Sequence, residues 1–172
     1  MIIPLILSFL LVLGPTAQDE IIPPLPKGVP RSIKRTFIES GLDKRYKMVF
    51  RLYPYYFRGD FNGDRLRDIA VQVQDRVSKK LGIAIIHQRK PQALSTHLSI
   101  LGAGTPLGEG SDHLDWVEVW NSIRPSKVVA MVQDSTLPKF SGDVLMLEKR
   151  GEKKGLVYWQ GGKYRWRILG GR

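Results

Sequence analysis

Oxygen-bearing side chains recur at short, regular intervals in one segment of the chain. Asp60, Asn62 and Asp64 alternate along the sequence, and Asp68 follows four residues later. In a tightly turning loop these four occupy positions 1, 3, 5 and 9 around one centre, and Leu66 at position 7 lends its backbone carbonyl. A hard divalent cation takes about six to eight such oxygens at roughly 2.4 Å. The spacing therefore predicts a calcium site.

Arginines in and beside this segment limit the affinity that we expect for calcium. Arg65 stands at position 6, where glycine is favoured because the backbone often adopts a positive φ there, and a non-glycine residue costs about 1 kcal/mol in that conformation. Arg58 and Arg67 lie beside the carboxylates, and Val71 replaces the bidentate glutamate of an EF-hand. We expect modest affinity. The alternative is an ordinary polar turn in which Asp68 pairs with an arginine.

The run GDFNGD, with DIAV four residues after it, resembles the calcium loops of FG-GAP and integrin-alpha-like repeats. In those proteins the motif recurs once per propeller blade, whereas it occurs once here, so no propeller is implied. The chain is also similar to small secreted bacterial proteins of unassigned activity that carry one such loop and end in a tryptophan hairpin, as residues 157–166 do here. The resemblance implies an exported protein that binds calcium.

The N-terminal residues resemble a signal peptide. Residues 1–13 are almost wholly apolar, Ala17 supplies the small residue of a cleavage site, and the first charges follow at Asp19 and Glu20. The apolar run is shorter than the roughly twenty residues of a membrane span. We therefore assign residues 1–17 to a signal peptide and expect a periplasmic or extracellular protein with no stable transmembrane span after its removal. An uncleaved N-terminal anchor is the alternative.

The remaining chain is predicted to hold a tether and one domain. Residues 18–30 contain four prolines, which favour an extended tether, and residues 31–172 are predicted to form a single β-rich domain. Cysteine is absent, which excludes disulfides and thiolate metal sites. A bound ion stabilises a fold when it binds only the native state. We therefore assign calcium a structural role.

The pattern of apolar residues predicts one short helix followed by strands. Residues 31–40 place Ile33, Phe37 and Ile38 on one face of an amphipathic helix. Strands are predicted at residues 46–53, 68–74, 81–87, 97–101, 114–120, 127–132 and 144–148, with a final hairpin of residues 156–160 and 163–169 around Gly161 and Gly162. The predicted fold is α+β, with a mainly antiparallel sheet, one covered face and one short N-terminal amphipathic helix.

The chain is strongly basic, with a formal charge of +11. In the last predicted strand Lys163, Arg165 and Arg167 alternate with Tyr164 and Trp166, which places the basic and aromatic side chains on opposite faces. Because a single-stranded nucleic acid needs both on one face, nucleic-acid binding is not favoured. The basic residues predict contact with anionic polymers of the cell envelope or with lipid headgroups.

These observations predict a non-catalytic binding or structural module rather than an enzyme. The three histidines show no HExxH spacing, and no serine lies in a G-x-S-x-G elbow. The alternative function is an envelope hydrolase or a hydrolase inhibitor. Its cleft would be lined by the segment from Gly102 to Asp115, which contains Asp112 and His113.

Overall fold

The computed structural model describes residues 25–89, 97–107 and 111–169, which form two antiparallel sheets and two short α-helices. A mainly antiparallel β fold is therefore confirmed. The elements are α1 (Arg31–Glu39), β1 (Tyr46–Met48), β2 (Tyr56–Gly59), β3 (Asp68–Asp75), β4 (Leu81–Ile86), β5 (Leu98–Gly102), β6 (Val119–Ile123), α2 (Pro125–Val132), β7 (Val144–Lys149), β8 (Lys153–Gln160) and β9 (Lys163–Leu169).

The first sheet is built around β3. This strand pairs with β4 along one edge and with β1 and β2, one after the other, along its other edge, while β5 extends the sheet beyond β4. All residues of β3 are buried except Gln74, which is half-buried. A strand with this burial has both of its faces covered. Burial on both faces suits its run of Ile69, Ala70, Val71 and Val73.

The second sheet is a meander of β6, β7, β8 and β9. Gly161 and Gly162 join β8 to β9 with φ values of 59° and 78°. A type I′ turn has positive φ at both central residues, and its twist matches that of the two strands it joins. Glycine adopts positive φ without a steric penalty. The predicted C-terminal hairpin is therefore confirmed.

Three apolar clusters hold the layers together. The central cluster lies between the two sheets and includes Phe61, Ile85, Trp120 and Leu147. A second cluster covers the outer face of the first sheet and includes Ile33 and Phe37 of α1. A third cluster joins Val128 of α2 to Phe140 and the outer face of the second sheet. The expectation of a single sheet with one covered face was wrong, because two sheets pack on each other and each carries a helix.

One predicted strand is a helix. Residues 127–132 were expected to be extended because Val128 and Val129 are β-branched, but they belong to α2. Pro125 has a fixed φ that suits the first turn, and Gln133 ends the helix in the left-handed region with φ 48°. Only one apolar stripe, carried by Val128, is buried. Tertiary packing of that stripe overrides the local preference.

Part of the N-terminal organisation lies outside the described residues. The predicted signal peptide of residues 1–17 and residues 18–24 of the predicted tether belong to that part. Residues 25–30 are described, and they pack on the domain: Val29 is buried against α1 and the first sheet. Packing therefore begins before the expected domain boundary at residue 31. None of the helices in the described ranges combines the length and the apolar character needed to cross a membrane.

Candidate metal centre

The predicted calcium loop connects β2 to β3. Gly59 and Asp68 form the last pair of the antiparallel ladder, so the loop leaves and re-enters the sheet at one point. Phe61 is fully buried in the central cluster and anchors the loop to the space between the sheets. Asn62 and Asp64 lie closer to solvent on the following turn. The loop is therefore fixed at its base and open at its tip.

Side chains of the loop bind its own backbone. Asp60 accepts the N–H of Gly63 at Oδ1 (2.7 Å) and the N–H of Arg65 at Oδ2 (2.9 Å). Asn62 Oδ1 accepts the N–H of Asp64 at 3.1 Å, and Asp64 Oδ1 accepts the N–H of Leu66 at 2.8 Å. These contacts are the Asx turns that aspartate and asparagine favour. They hold the predicted ligands in one tight turn.

Arg65 has the backbone conformation that its loop position requires. Its φ is 69°, in the left-handed region where a residue with a Cβ pays about 1 kcal/mol or more. Gly63 reaches a φ of 82° in the same turn, and a Cβ there would lie 2.7 Å from the carbonyl oxygen of Ser141. The loop thus follows a turn that glycine would favour at both positions but occupies one of them with arginine.

Asp143 is a fourth acidic residue at this site, and the sequence pattern did not identify it. It precedes β7 in the second sheet, and its N–H donates to the carbonyl oxygen of Asp60 at 2.6 Å. The N–H of Asp60 donates in turn to Asp143 Oδ2 at 3.2 Å. A Cβ at Gly142 would lie 2.4 Å from the carbonyl oxygen of Asp60, so only glycine allows this approach. Asp143 lies far from the loop in sequence and carries no spacing signal.

Asp68 is buried at the base of the loop. Its Oδ2 accepts the N–H of Phe61 at 3.0 Å, and its Oδ1 accepts the N–H of Gln88 at 3.0 Å. Nδ1 of the buried His87 lies 3.0 Å from Oδ2 but is not aligned for a hydrogen bond. The ring of His87 stacks on Tyr164 of β9, with the ring centres 5.8 Å apart. Asp68 therefore joins the loop to β4 and, through His87, to the second sheet.

The carboxylates of this site affect the pKa values of two neighbouring groups. Burial raises the pKa of Asp143 above its ordinary value, and the negative charges of Asp60 and Asp68 raise it further, while the hydrogen bond with Asp60 and the charge of Arg124 lower it. Burial also raises the pKa of Tyr164, with added contributions from Asp68, Asp60 and Asp64. A nearby negative charge disfavours ionisation of an acid, which explains the direction of both charge contributions. A cation bound in the loop would relieve this repulsion.

The loop oxygens retain capacity for a metal ion. A carboxylate or amide oxygen accepts two contacts, and those of Asp60, Asn62 and Asp64 each use one within the protein. Within the described ranges, no three side chains of His, Asp or Glu form a ready-made metal-binding group. A calcium ion here would therefore combine carboxylates with the Asn62 amide and backbone oxygen, which suits the hard-oxygen preference of calcium.

The basic residues of β9 do not form a uniform open face. Lys163 and Arg165 are exposed, but Arg167 is half-buried and its Nη2 lies 2.9 Å from Asp134 Oδ2. Arg167 also donates to the carbonyl oxygen of Thr136, at 3.2 Å. It pairs across the sheet with Leu156, which belongs to the cluster covered by α2. The strand face that carries these cations is thus partly covered.

The alternative cleft segment makes structural contacts. Asp112 Oδ2 lies 2.5 Å from Lys80 Nζ, and this hydrogen bond lowers the pKa of Asp112. Asp115 Oδ1 accepts the N–H of Leu81 at 3.0 Å, and its Oδ2 lies 3.2 Å from His113 Nδ1. Residues 108–110 lie outside the described ranges. The two acidic side chains thus fasten the segment to the start of β4.

Comparison of the chain with family profiles, with curated proteins and with solved structures gave no match. The resemblance to FG-GAP-like loops therefore stays a prediction that rests on residues 59–71.

Proposed function

We propose that this chain is an exported, non-catalytic binding or structural module whose β2–β3 loop holds a calcium ion. The ion is structural, and the ligands are Asp60, Asn62, Asp64, the carbonyl of Leu66, and Asp68. The basic surface of the domain contacts anionic polymers or headgroups of the cell envelope.

The observation that carries the metal proposal is the geometry of the loop, in which Asp60, Asn62 and Asp64 lie in one tight turn and their oxygens can each accept a further contact. Asp143 has a raised pKa although the whole chain has a charge of +11. Burial is the first cause, and the charges of Asp60 and Asp68 add to it. The charge of Arg124 and the hydrogen bond with Asp60 act in the opposite direction, but the net change in this pKa is upward. A divalent cation is the partner that such a group of oxygens favours.

A bound ion would stabilise the contact between the two sheets. The loop belongs to the first sheet, and Asp143 connects it to β7 of the second sheet through two hydrogen bonds with Asp60. Fixing Asp60 would therefore fix this junction. Occupancy that favours only the folded state adds stability by mass action. This is a structural role that needs no catalytic residue.

The test is the melting temperature of the protein in EDTA and in a calcium titration. Extracellular calcium modules bind with a Kd of about 10⁻⁴ to 10⁻³ M, so 10 mM calcium would add roughly 1.4–2.7 kcal/mol. For a chain of this size that corresponds to a rise of about 3–11 °C. Asp60→Asn and Asp64→Asn remove the charge and keep one of the two acceptor oxygens, so Asp60→Asn leaves the N–H of either Gly63 or Arg65 without its acceptor. We expect both to lose the calcium-dependent rise.

Two further variants separate a metal effect from general destabilisation. Asp134→Asn removes a carboxylate that pairs with Arg167 outside the loop, and it should melt lower while keeping the full calcium response. Asp143→Asn removes a repelled charge while its amide oxygen still accepts the N–H of Asp60. It should melt higher than wild type in EDTA and gain less from calcium. No shift of wild type at 10 mM calcium would show that the loop is an ordinary turn.

A further inference from the structure

The outer face of α1 carries a cluster of cations that the calcium loop does not involve. A surface groove beside this helix is lined by Lys27, Arg31, Lys34 and Arg35, with Glu39 as the one acidic residue of its lining. Lys27, Arg31 and Arg35 are exposed, and Lys34 is half-buried. Arg35 lies 3.8 Å from Glu39, and both side chains are well exposed, so this pair is weak. The groove is therefore strongly positive.

The spacing of these residues gives α1 two distinct faces. Ile33 and Phe37 point into the domain and are buried. Arg31, Lys34, Arg35 and Ile38 occupy positions i, i+3, i+4 and i+7, which places them together on the outward face. Ile38, which the sequence pattern placed on the same face as Ile33 and Phe37, is instead exposed, with 48% of its surface accessible. The outward face thus combines cations with one apolar side chain.

The backbone of α1 adds to the positive potential. The helix has no acidic residue in its first turn, and Pro30 at its N-cap supplies no side-chain cap. The unpaired N–H groups of a helix N-terminus carry a partial positive charge. Arg58 of β2 reaches the same helix, since its Nη2 donates to Ser32 Oγ at 3.3 Å. A cation of β2 therefore lies beside the first turn of α1, outside the lining of the groove, although a positive charge at a helix N-terminus is unfavourable for folding.

We infer that the outward face of α1 docks on the surface of a membrane that contains anionic phospholipids. Lipid phosphates match the cations of the groove, and Ile38 enters the boundary between headgroups and acyl chains while the lysine and arginine stems lie along it. A soluble polyanion would leave Ile38 without a partner. This inference rests on the anionic partner in the proposed function and assigns it to a surface other than β9.

The position of α1 in the chain supports a membrane rather than a soluble partner. The groove begins at Leu25, and the apolar run of residues 1–13 precedes it by only eleven residues. Such a linker spans at most about 40 Å when fully extended. In the alternative of an uncleaved N-terminal anchor, this linker keeps the cations of α1 within reach of the bilayer surface. Charge and connectivity thus favour the same partner.

The test is sedimentation of the full chain with vesicles of phosphatidylcholine alone or with added phosphatidylglycerol, without added calcium. For each variant we measure binding to anionic vesicles divided by binding to neutral vesicles. Residues 1–24 are the same in all variants, so their contribution cancels when these ratios are compared between variants. Lys34→Gln/Arg35→Gln should lower this ratio about 25-fold, because each cation near an anionic bilayer contributes about fivefold. Ile38→Asn should lower binding to anionic vesicles about fivefold.

The matched control is Lys163→Gln/Arg165→Gln, which changes the net charge by the same amount on β9. We expect about twofold loss at most, because charges beyond the Debye length are screened. Equal losses from both double variants would overturn the inference, since binding would then follow net charge. Binding to long-chain polyphosphate but not to vesicles would assign the surface to a soluble polyanion and overturn it as well.

Melting curves on the same samples separate this inference from the proposed function. A calcium-dependent rise without vesicle binding would overturn the membrane inference alone. Loss of vesicle binding only in the β9 variant would keep an anionic partner but place it on β9, which also overturns the assignment to α1. All substituted side chains lie on the surface, so circular dichroism should show an unchanged fold.

Discussion

Replacing Asp68 with alanine should destabilise the protein even when no calcium is present. The side chain has no exposed surface and accepts the N–H groups of Phe61 and Gln88, each at 3.0 Å. Alanine would leave the buried N–H of Phe61 without an acceptor, at about 1–3 kcal/mol, and would free the N–H of Gln88, an exposed residue, at a smaller cost. It would also leave the buried His87 without its neighbouring carboxylate. We expect a total loss of roughly 2–4 kcal/mol.

The assay is urea unfolding followed by tryptophan fluorescence, in EDTA and in 10 mM calcium. Asp75→Ala is a matched control, because the Asp75 side chain is also almost fully buried and accepts two backbone N–H groups, of Val77 and Ser78, at the far end of β3. It should lower stability equally in both conditions. Asp68→Asn, which keeps one acceptor, should fall between wild type and Asp68→Ala.

The result in EDTA decides whether the reasoning is correct. A loss below about 1 kcal/mol for Asp68→Ala in EDTA would contradict it, since the buried N–H of Phe61 alone costs about that much or more when it has no acceptor. If the whole loss arose only in calcium, Asp68 would act as a metal ligand and its hydrogen bonds would contribute nothing measurable. A large loss in EDTA together with a smaller calcium response would show that Asp68 does both.

Two further predictions concern the turn at Arg65 and the acid sensitivity of Asp75. Arg65→Gly removes a side chain from a residue with φ 69° and should raise stability by about 0.5–1 kcal/mol in EDTA and strengthen calcium binding; an unchanged melting temperature would contradict the strain argument. The hydrogen bond from Arg45 and the N–H of Ser78 hold the pKa of Asp75 well below its ordinary value of 3.8. Because this folded-state pKa is lowered, the stability from Asp75 is present above pH 4 and is lost as the pH falls further. Asp75→Asn should therefore show a flatter acid decline in melting temperature; a decline as steep as that of wild type would assign acid sensitivity to other groups.

Local sequence patterns predicted the elements whose cause is local. The alternation in residues 68–74 located β3, and the glycine pair at 161–162 located the final hairpin. Arg65 at loop position 6 was expected to need a positive φ, and it has one. Each of these features depends on neighbours along the chain, which the sequence displays directly.

Features that depend on distant contacts were not predictable in this way. Asp143 reaches the loop only because the second sheet packs on the first, so no spacing links it to Asp60. The covered face next to Arg167 follows from the position of α2, which had been predicted as a strand. β-branched residues such as Val128 and Val129 predict a strand only weakly. In α2, the burial of one apolar stripe and the favourable helix ends outweigh that preference.

The chain as a whole is basic, whereas carboxylates are grouped at the loop. The total of +11 favours anionic partners, yet the charges of Asp60 and Asp68 add to burial in raising the pKa of Asp143, against the opposite contribution of Arg124. At physiological salt, charges are screened beyond about 8 Å, so a side chain responds to its neighbours and not to the total. A cation at the loop and an anionic surface at α1 are therefore compatible in one small domain. Because screening separates them, raising the salt concentration should weaken vesicle binding strongly while the calcium-dependent rise in melting temperature persists.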